Sequence, residues 1–180
     1  MRPLRTLVQP RPERRRGDDA PTAWAPVITV AVISVPAIVG VLTGQLLLFP
    51  SLGPTVVMQA HLPRHASSHI YNVVLAHFIG LAAADVCVIV LGLAATPSVF
   101  ATQNLSEARV VAAAFALLLA ATVEVILGIS HPPAAATTLL AALGSFKPSE
   151  HDTLTVLLGV SIVAIAGEIV RRARLAAIGE

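Results

Sequence analysis

Four stretches of this chain are long, apolar and almost free of charge, and this feature constrains the fold more than any other. They run over about 24–49, 70–95, 110–129 and 154–170. A helix of roughly 20 apolar residues crosses a bilayer, so each stretch predicts a membrane-spanning helix. Hydrophobic residues make up 56% of the chain and charged residues 12%, and a soluble domain of this size cannot bury that much apolar surface. The sequence therefore predicts an all-α, polytopic membrane protein.

Two further apolar segments are too short to span. One covers about 55–60 after a Gly-Pro pair, and the other covers about 134–143 after a Pro-Pro pair. Proline suits the first turn of a helix, because it has no N–H to donate and its φ is already helical. We expect each segment to form a half helix that is re-entrant or lies at the interface.

A shift of 79 positions indicates a possible two-fold internal repeat. It superposes 51–54 on 130–133, Gln45 on Glu124 and Gly80 on Gly159. Each half then contains a span, a half helix and a second span. Because two spans return the chain to the side where it began, both halves would enter the membrane in the same sense. This pattern predicts parallel repeats.

The basic residues predict the orientation. Six arginines precede the first span, three follow the last, and Arg109 lies between the second and third spans, whereas the other two loops contain only Arg64 and Lys147. Ten against two places both termini in the cytoplasm by the positive-inside rule. We expect a multi-pass protein of the cell (inner or plasma) membrane.

The chain divides into a basic, disordered cytoplasmic tail over 1–22, a transmembrane domain over 23–172 and a short cytoplasmic tail over 173–180. The arginines sit at membrane boundaries, so the pI near 9.3 does not indicate a nucleic-acid partner. A single cysteine, Cys87, excludes an internal disulfide framework. No phosphate-binding loop, nucleophile elbow or metalloprotease motif is present, and we expect neither enzyme activity nor a cofactor.

Ionisable residues inside the spans are the candidates for proton coupling or gating, because charge is costly in the bilayer. Glu124 lies shortly before the Pro-Pro pair, and His77 and Asp85, eight residues apart, share a helix face. Each also has a structural interpretation: Glu124 as a hydrogen-bonded neutral acid, and the other two as packing residues satisfied by neighbouring helices. Glu168 is expected to form a surface ion pair with the arginines that follow it.

The half-helix starts are the candidate substrate site. A helix that begins within a membrane presents unpaired N–H groups and a positive dipole end, which together attract an anion. The candidate substrate-binding residues are Ser51, Gly53, Thr55, Ser130, His131 and Ala134. The two serines are equally well explained as N-caps. Thr137 and Thr138 add hydroxyls near the second start.

Three histidines, His61, His65 and His69, recur every four residues. On a continuous helix they would face one side, as metal ligands do. Pro63 interrupts the pattern, and no cysteine or nearby carboxylate completes a ligand set. We expect no metal site.

The segment 131–134, His-Pro-Pro-Ala between the third and fourth spans, resembles the signature of the HPP family of four-span integral membrane proteins. The Gly53 region, and Asn72 with His77, resemble other motifs of that family. The resemblance covers roughly 24–172. Family members in cyanobacteria and plastids are associated with nitrite transport, so the resemblance implies a transporter of small anions.

The chain departs from the family pattern at three places. Ala135 follows where the family usually has glycine, Ile70 and Tyr71 stand where it often has Pro-Arg, and Ala76 replaces a usual glycine before His77. The missing arginine removes a charge that would attract an anion.

Two functions remain open. The leading hypothesis is a membrane transporter or channel-like permease for a small monovalent anion, with nitrite as the candidate substrate. The alternative is a non-transporting scaffold or accessory subunit, supported by Gly40 and Gly44 at a spacing that favours helix contact. Four spans are few to enclose a pathway, so a homo-oligomer in the lipid bilayer is expected.

Overall fold

A computed structural model describes residues 24–177 as a helical bundle, with no strand in that range. Its helices are α1 (Ala25–Thr43), α2 (Leu52–His61), α3 (Ile70–Val90), α4 (Val99–Thr102), α5 (Glu107–Leu127), α6 (Ala134–Ala142) and α7 (Glu150–Ala177), with a 3-10 turn over Ala66–Ser68 between α2 and α3. Four of them, α1, α3, α5 and α7, are long and apolar enough to cross a membrane. The predicted all-α fold with four membrane-spanning helices is confirmed. The predicted tail over 1–22 lies outside the described residues.

The first spanning helix is shorter than its apolar stretch. Helix α1 ends at Thr43, where Gly44 adopts a left-handed conformation with φ 68° and its N–H bonds to the carbonyl of Gly40. The left-handed conformation favours glycine, which has no Cβ to clash. Gln45 therefore lies beyond the end of α1, whereas Glu124, its match in the 79-residue shift, lies inside α5. These two residues are not structural equivalents.

The last helix is longer than its apolar stretch. Helix α7 has 28 residues, and the Ser149 hydroxyl caps its start by accepting a hydrogen bond from the Asp152 N–H over 3.3 Å. At the other end the helix continues through 173–177, which the sequence assigned to a tail.

Helices α3 and α7 form the centre of the bundle. They pack against each other, α5 lies on α3, and α1 lies on α7. About 44% of the spanning part of α3 and 39% of that of α7 are buried, compared with 22% for each of α1 and α5. The short helices fill the remaining space, because α2 packs on α1 and α7 while α6 packs on α5 and α3.

The segment between α1 and α3 crosses the bundle instead of returning to the side from which it came. Near its start, the Thr155 hydroxyl at the beginning of α7 reaches Gln45 Oε1 over 3.5 Å. Near its end, Arg174 at the end of α7 donates to the carbonyl of Ala60. The segment thus runs parallel to α7 along most of that helix. The predicted short helix is present as α2, and only the expectation that it is re-entrant or interfacial is corrected.

Helix α3 then runs in the opposite direction to α7. Asp85 and Ile89, near the end of α3, share an open cavity with Ser149 and Leu154 at the start of α7. Since the end of α1 also lies near the start of α7, α1 and α3 point the same way. Two consecutive parallel helices require a crossing segment between them.

The second half repeats this arrangement. Arg109, at the start of α5, donates to the carbonyl of Leu93 after α3 and to that of Ala142 at the end of α6. At the start of α6, His131 bonds to the carbonyl of Ser67 in the 3-10 turn, which lies toward the other side. The α6 segment therefore also passes across the bundle, and the described chain makes six crossings.

The two halves are related by inversion, because three crossings per half reverse the direction of the chain. This corrects the expectation of parallel repeats. Gln59 of α2 packs against Gly167 of α7, and Thr138 of α6 packs against Gly80 of α3. Gln59 and Thr138 are matched by the 79-residue shift, so the counterpart of Gly80 is Gly167 and not Gly159.

With six crossings instead of four, Arg64 and Arg109 change places between the two sides of the bundle. The loop with Arg64 lies at the end of α7, where Arg171 donates to the carbonyl of Pro63 over 3.2 Å. Arg109 lies at the opposite side with Lys147, near the end of α6. The balance therefore stays at ten against two, and the cytoplasmic placement of both termini stays a prediction of the positive-inside rule.

Candidate functional site

Six residues with buried polar groups meet where α2, α3 and α6 converge. This polar cluster consists of Ser51, Thr55, Ser67, His77, His131 and Thr137, each with 0% exposure. Polar groups at such depth are costly unless hydrogen-bonded. The partners of each group therefore define the cluster.

The hydroxyl of Thr55 is the central group. Its Oγ1 lies 3.1 Å from Nε2 of His77 and 3.0 Å from Nε2 of His131. It also lies 3.1 Å from the carbonyl oxygen of Ser51, one turn earlier in the chain. One hydroxyl thus joins α2 to α3 and to the start of α6.

A second hydroxyl, that of Thr137, closes the cluster on the other side of His77. Its Oγ1 lies 2.6 Å from Nδ1 of His77 and 2.7 Å from Oγ of Ser51. Both nitrogens of the His77 ring are therefore bonded to threonine hydroxyls.

The two imidazole rings are neighbours, with centroids 5.2 Å apart and planes inclined by 51°. Nδ1 of His131 lies 2.7 Å from the carbonyl oxygen of Ser67. A carbonyl only accepts, so Nδ1 of His131 carries a hydrogen. In a neutral ring, Nε2 of His131 is then an acceptor.

The double proline fixes where α6 begins. The N–H groups of Ala134, Ala135 and Ala136 donate to the carbonyls of residues 131–133 over 2.9, 3.1 and 3.1 Å. Pro132 and Pro133 have no N–H, so the first available donors of α6 are already bonded. The N–H groups that were expected to bind an anion are therefore already hydrogen-bonded to main-chain carbonyls.

The start of α2 is closed in a similar way. The N–H of Leu52 donates to the carbonyl of Phe49 over 3.0 Å, and that of Gly53 donates to Pro50 over 3.3 Å. Pro54 again has no N–H. At both short helices, side chains therefore provide the polar contacts of the site.

Three of the predicted substrate-binding residues, Ser51, Thr55 and His131, come together in the polar cluster. Gly53 lies on a half-buried part of α2, and a side chain there would meet open space. Ala134 is buried beside Gly80.

Ser130, the remaining predicted substrate-binding residue, is exposed and lies at the edge of the polar cluster. It accepts a hydrogen bond from the Ser67 hydroxyl over 3.3 Å. The structure therefore extends the polar groups from the buried cluster to a surface position next to it.

The residues predicted to couple protons are separated by the fold. His77 belongs to the polar cluster. Asp85 is half-buried at the far end of α3, in an open cavity that Glu150 also lines. Glu124 is half-buried in the last turns of α5, and no hydrogen bond joins its side chain to the described part of the cluster. The structure brings together the histidines, not the histidine with a carboxylate.

Sequence reasoning missed Ser67. Its contribution to His131 is a main-chain carbonyl, which any residue type supplies, so no sequence signal could have identified it. Thr137 carried a signal, as a hydroxyl one turn into the second short helix, but the spacing did not indicate its partner His77.

Within the described range, 24–177, no three histidine, cysteine or acidic side chains are grouped to hold a metal ion. His65, from the four-residue series, caps the 3-10 turn: its Nδ1 accepts a hydrogen bond from the Ser67 N–H over 3.2 Å. His65 therefore has a structural role as a cap in the loop between α2 and α3.

Glu168 is buried, which corrects the expectation of a surface ion pair. It is 7% exposed and binds Arg171 through two bonds of 2.7 and 2.8 Å. Arg172, which is mostly exposed, adds a bond of 2.7 Å. Since Arg171 also holds the carbonyl of Pro63, the ion pair ties α7 to the loop that follows α2.

Arg109 is a second buried charge away from the cluster. It is 3% exposed, and its guanidinium donates to the carbonyls of Leu93, Thr96 and Ala142 and to the Thr96 hydroxyl over 2.7–3.2 Å. Carbonyls at helix C-termini carry partial negative charge, so they stabilise the cation. Arg109 joins the end of α3 to the end of α6.

A family model described as "HPP, transmembrane region" matches residues 15–176. No curated protein matches the chain, and no solved structure does. The family match covers almost the whole chain and includes the His-Pro-Pro segment that places His131 in the polar cluster. The protein is an integral membrane protein with apolar spanning helices, and the chain belongs to the HPP transmembrane family.

Proposed function

We propose that this protein is a transporter or channel-like permease for a small monovalent anion, with nitrite as the candidate substrate. One observation carries the proposal: two histidines and four hydroxyl side chains are buried together where the inverted halves meet. Transporters built from inverted repeats bind their substrates at such an interface, on short helical segments. Intramembrane ionisable residues generally mark a transport pathway.

The anion would bind to side chains of the polar cluster. Ser51, Thr55 and His131 supply hydroxyl and imidazole donors, and both short helices begin next to them, so their positive dipole ends favour negative charge. Gly53, Ser130 and Ala134 would line the approach at the helix starts. A singly charged anion suits a site whose one means of becoming positive is protonation of an imidazole.

The test is anion uptake by purified protein in liposomes, with nitrite, nitrate, formate and chloride compared. We expect uptake of a small anion by the wild type and its loss, by more than tenfold, in His131→Gln and His77→Gln. The matched control is His69→Gln, because His69 is an exposed histidine outside the cluster. Wild-type uptake equal to that of protein-free liposomes for all four anions would contradict the proposal.

Glu124 and Asp85 are tested separately as coupling or gating residues. Both lie away from the polar cluster, so we expect Glu124→Gln and Asp85→Asn to retain uptake within about threefold, corresponding to less than about 0.7 kcal/mol. A larger loss in Glu124→Gln would assign the coupling role to that carboxylate.

The alternative function is a non-transporting scaffold or accessory subunit. The observation that favours it is that the polar cluster satisfies its own hydrogen bonds, as a purely structural core does. Transport by the purified chain in liposomes, without any other protein, would exclude that role.

A homo-oligomer in the lipid bilayer stays part of the proposal, but the polar cluster does not depend on it. The sequence suggested too few spans to enclose a pathway. The six crossings enclose the polar cluster within one protomer, so oligomerisation is not required to build the site.

A further inference from the structure

When both rings are neutral, the hydrogen bonds of the polar cluster have only one direction that pairs all four ring nitrogens. Nδ1 of His131 must donate to the Ser67 carbonyl, so Nε2 of His131 accepts from the Thr55 hydroxyl. The one hydrogen of that hydroxyl is then used. Nε2 of His77 must therefore carry a hydrogen and donate to Thr55.

The same reasoning continues through His77. Its Nδ1 is now the acceptor, and the Thr137 hydroxyl donates to it over 2.6 Å. The Thr137 oxygen in turn accepts from the Ser51 hydroxyl over 2.7 Å. Every donor points from Ser51 toward the Ser67 carbonyl. Reversing the chain would place a bare Nδ1 against a carbonyl oxygen, which two acceptors do not tolerate.

Thr55 has a second acceptor available. The carbonyl of Ser51 lies 3.1 Å from its hydroxyl oxygen, as close as Nε2 of His77 at 3.1 Å and nearly as close as Nε2 of His131 at 3.0 Å. If the hydroxyl turns from His131 to that carbonyl, its two lone pairs face the two rings. The hydroxyl then accepts an N–H from His77 and a second N–H from His131, and all its valences are used.

We propose that His131 is the residue that takes up a proton for transport and that Thr55 is the switch permitting it. One proton binds to Nε2 of His131, the Thr55 hydroxyl turns to the Ser51 carbonyl, and no other hydrogen bond of the cluster breaks. The imidazolium then donates to Thr55 and to the Ser67 carbonyl. The step adds one N–H bond and one positive charge and breaks no covalent bond in the protein.

Among the described residues, His77 has no neighbouring hydroxyl that can turn to another acceptor in the same way. If its Nδ1 were protonated, the Thr137 hydroxyl would need a new acceptor, and its other partner in the described structure is the Ser51 hydroxyl, which already donates to it. Protonating His77 therefore requires two hydroxyls to turn, one of them away from the cluster. The asymmetry assigns the proton to His131.

The charges around the protonated ring of His131 determine how many anions accompany each proton. His131 is approached by the Thr55 hydroxyl, the Ser67 carbonyl and the ring of His77. Helices α5 and α7 also pack on these elements; α5 carries Glu124, and α7 carries Glu168, which is paired with Arg171. No described hydrogen bond joins either of these carboxylates, or Asp85 on α3, to His131. A single positive charge with no carboxylate bonded to it favours one monovalent anion. One proton and one anion therefore cross the membrane together, with no net movement of charge. This step rests on the proposed transport function.

The first test does not depend on transport. In the full-length protein, labelled with ¹⁵N-histidine and placed in lipid nanodiscs, we expect neutral His131 to carry its hydrogen on Nδ1 and neutral His77 on Nε2. On acidification His131 becomes doubly protonated before His77 does. The opposite tautomer at His131, or earlier protonation of His77, would overturn the inference.

The second test measures protons and anions together in liposomes. With a nitrite gradient at pH 7 we expect one proton to enter with each anion, at a rate that an imposed membrane potential leaves unchanged. Thr55→Val removes the switch and should lower the proton flux at least tenfold, whereas Thr55→Ser retains it. Nitrite uptake without proton uptake would overturn the inference that His131 carries a proton, but it would not contradict the proposed transport function. If neither protons nor any of the four anions enter while the histidine spectra are as expected, the transport function fails and the proton site stands.

Discussion

Thr138 packs directly against Gly80, so that α6 and α3 approach each other through a position without a side chain. A methyl group at Gly80 would overlap the Thr138 hydroxyl and lie 3.2 Å from the carbonyl oxygen of Ala134. Gly167 has the same relation to Gln59 in the other half. Each short crossing segment therefore packs against a glycine on a central helix, with Thr138 and the backbone in one half and the amide end of Gln59 in the other.

Gly80→Ala is expected to destabilise the protein by about 1–3 kcal/mol, the usual cost of overpacking a closely packed core. The contact is with backbone and with a β-branched side chain, neither of which moves away easily. Thermal unfolding in detergent measures the effect. Gly53→Ala is the control, since a methyl group there meets nothing within 4 Å. Equal unfolding temperatures for the two variants would argue against the close packing.

Thr137→Val is expected to lower the free energy of unfolding by about 1–3 kcal/mol, because the change leaves Nδ1 of His77 without its hydrogen-bond donor in a buried site. Thr137→Ser keeps the hydroxyl and should retain most of the stability. Chemical unfolding in mixed micelles provides the measurement. If the valine variant proved as stable as the serine variant, the hydroxyl would not be part of a closed network.

Arg109→Gln is expected to destabilise the end of the bundle by at least about 2 kcal/mol, since several charge-assisted bonds to carbonyls are lost. Limited proteolysis of 91–106 and thermal unfolding both report the change. Lys147→Gln removes an exposed charge from the same side and serves as the control. Similar proteolysis of both variants would contradict a structural role for the buried guanidinium.

The six crossings predict which loops face the same side of the membrane. In a Cys87→Ser background, His69→Cys and Asn104→Cys place single thiols at exposed positions in the two loops that flank α3. With both termini cytoplasmic, an impermeant thiol reagent added outside intact cells should label the cysteine at 104 and not that at 69. Four crossings alone would give the opposite result.

Hydropathy identified the four long helices, because a helix exposed to lipid must present apolar side chains over its whole length. Proline marked the start of α6, since it tolerates only the first turn of a helix. The His-Pro-Pro segment also indicated the family. These features depend on residues that are neighbours in the chain.

Hydropathy could not predict that the two short segments cross the bundle. Extended backbone rises roughly 3.3 Å per residue and a helix about 1.5 Å, so a mixed segment crosses with fewer apolar residues than a helix needs. Such backbone is tolerated at membrane depth only where protein surrounds it. Leu47 and Phe49 are buried in this way, at 1% and 4% exposure. That burial is a property of the packed bundle, not of the local sequence.

The sequence by itself determined an α-helical membrane protein of the HPP family, and it selected Ser51, Thr55, His77 and His131 as polar residues of interest. Only the tertiary structure decided that they form one cluster, because its bonds join Thr55 to a histidine 76 residues away and Ser51 to a threonine 86 residues away. It also decided that the halves are inverted, since the direction of each half depends on whether the short segment returns or crosses. Local composition reports what a segment can face, whereas its partners are set by how distant segments pack.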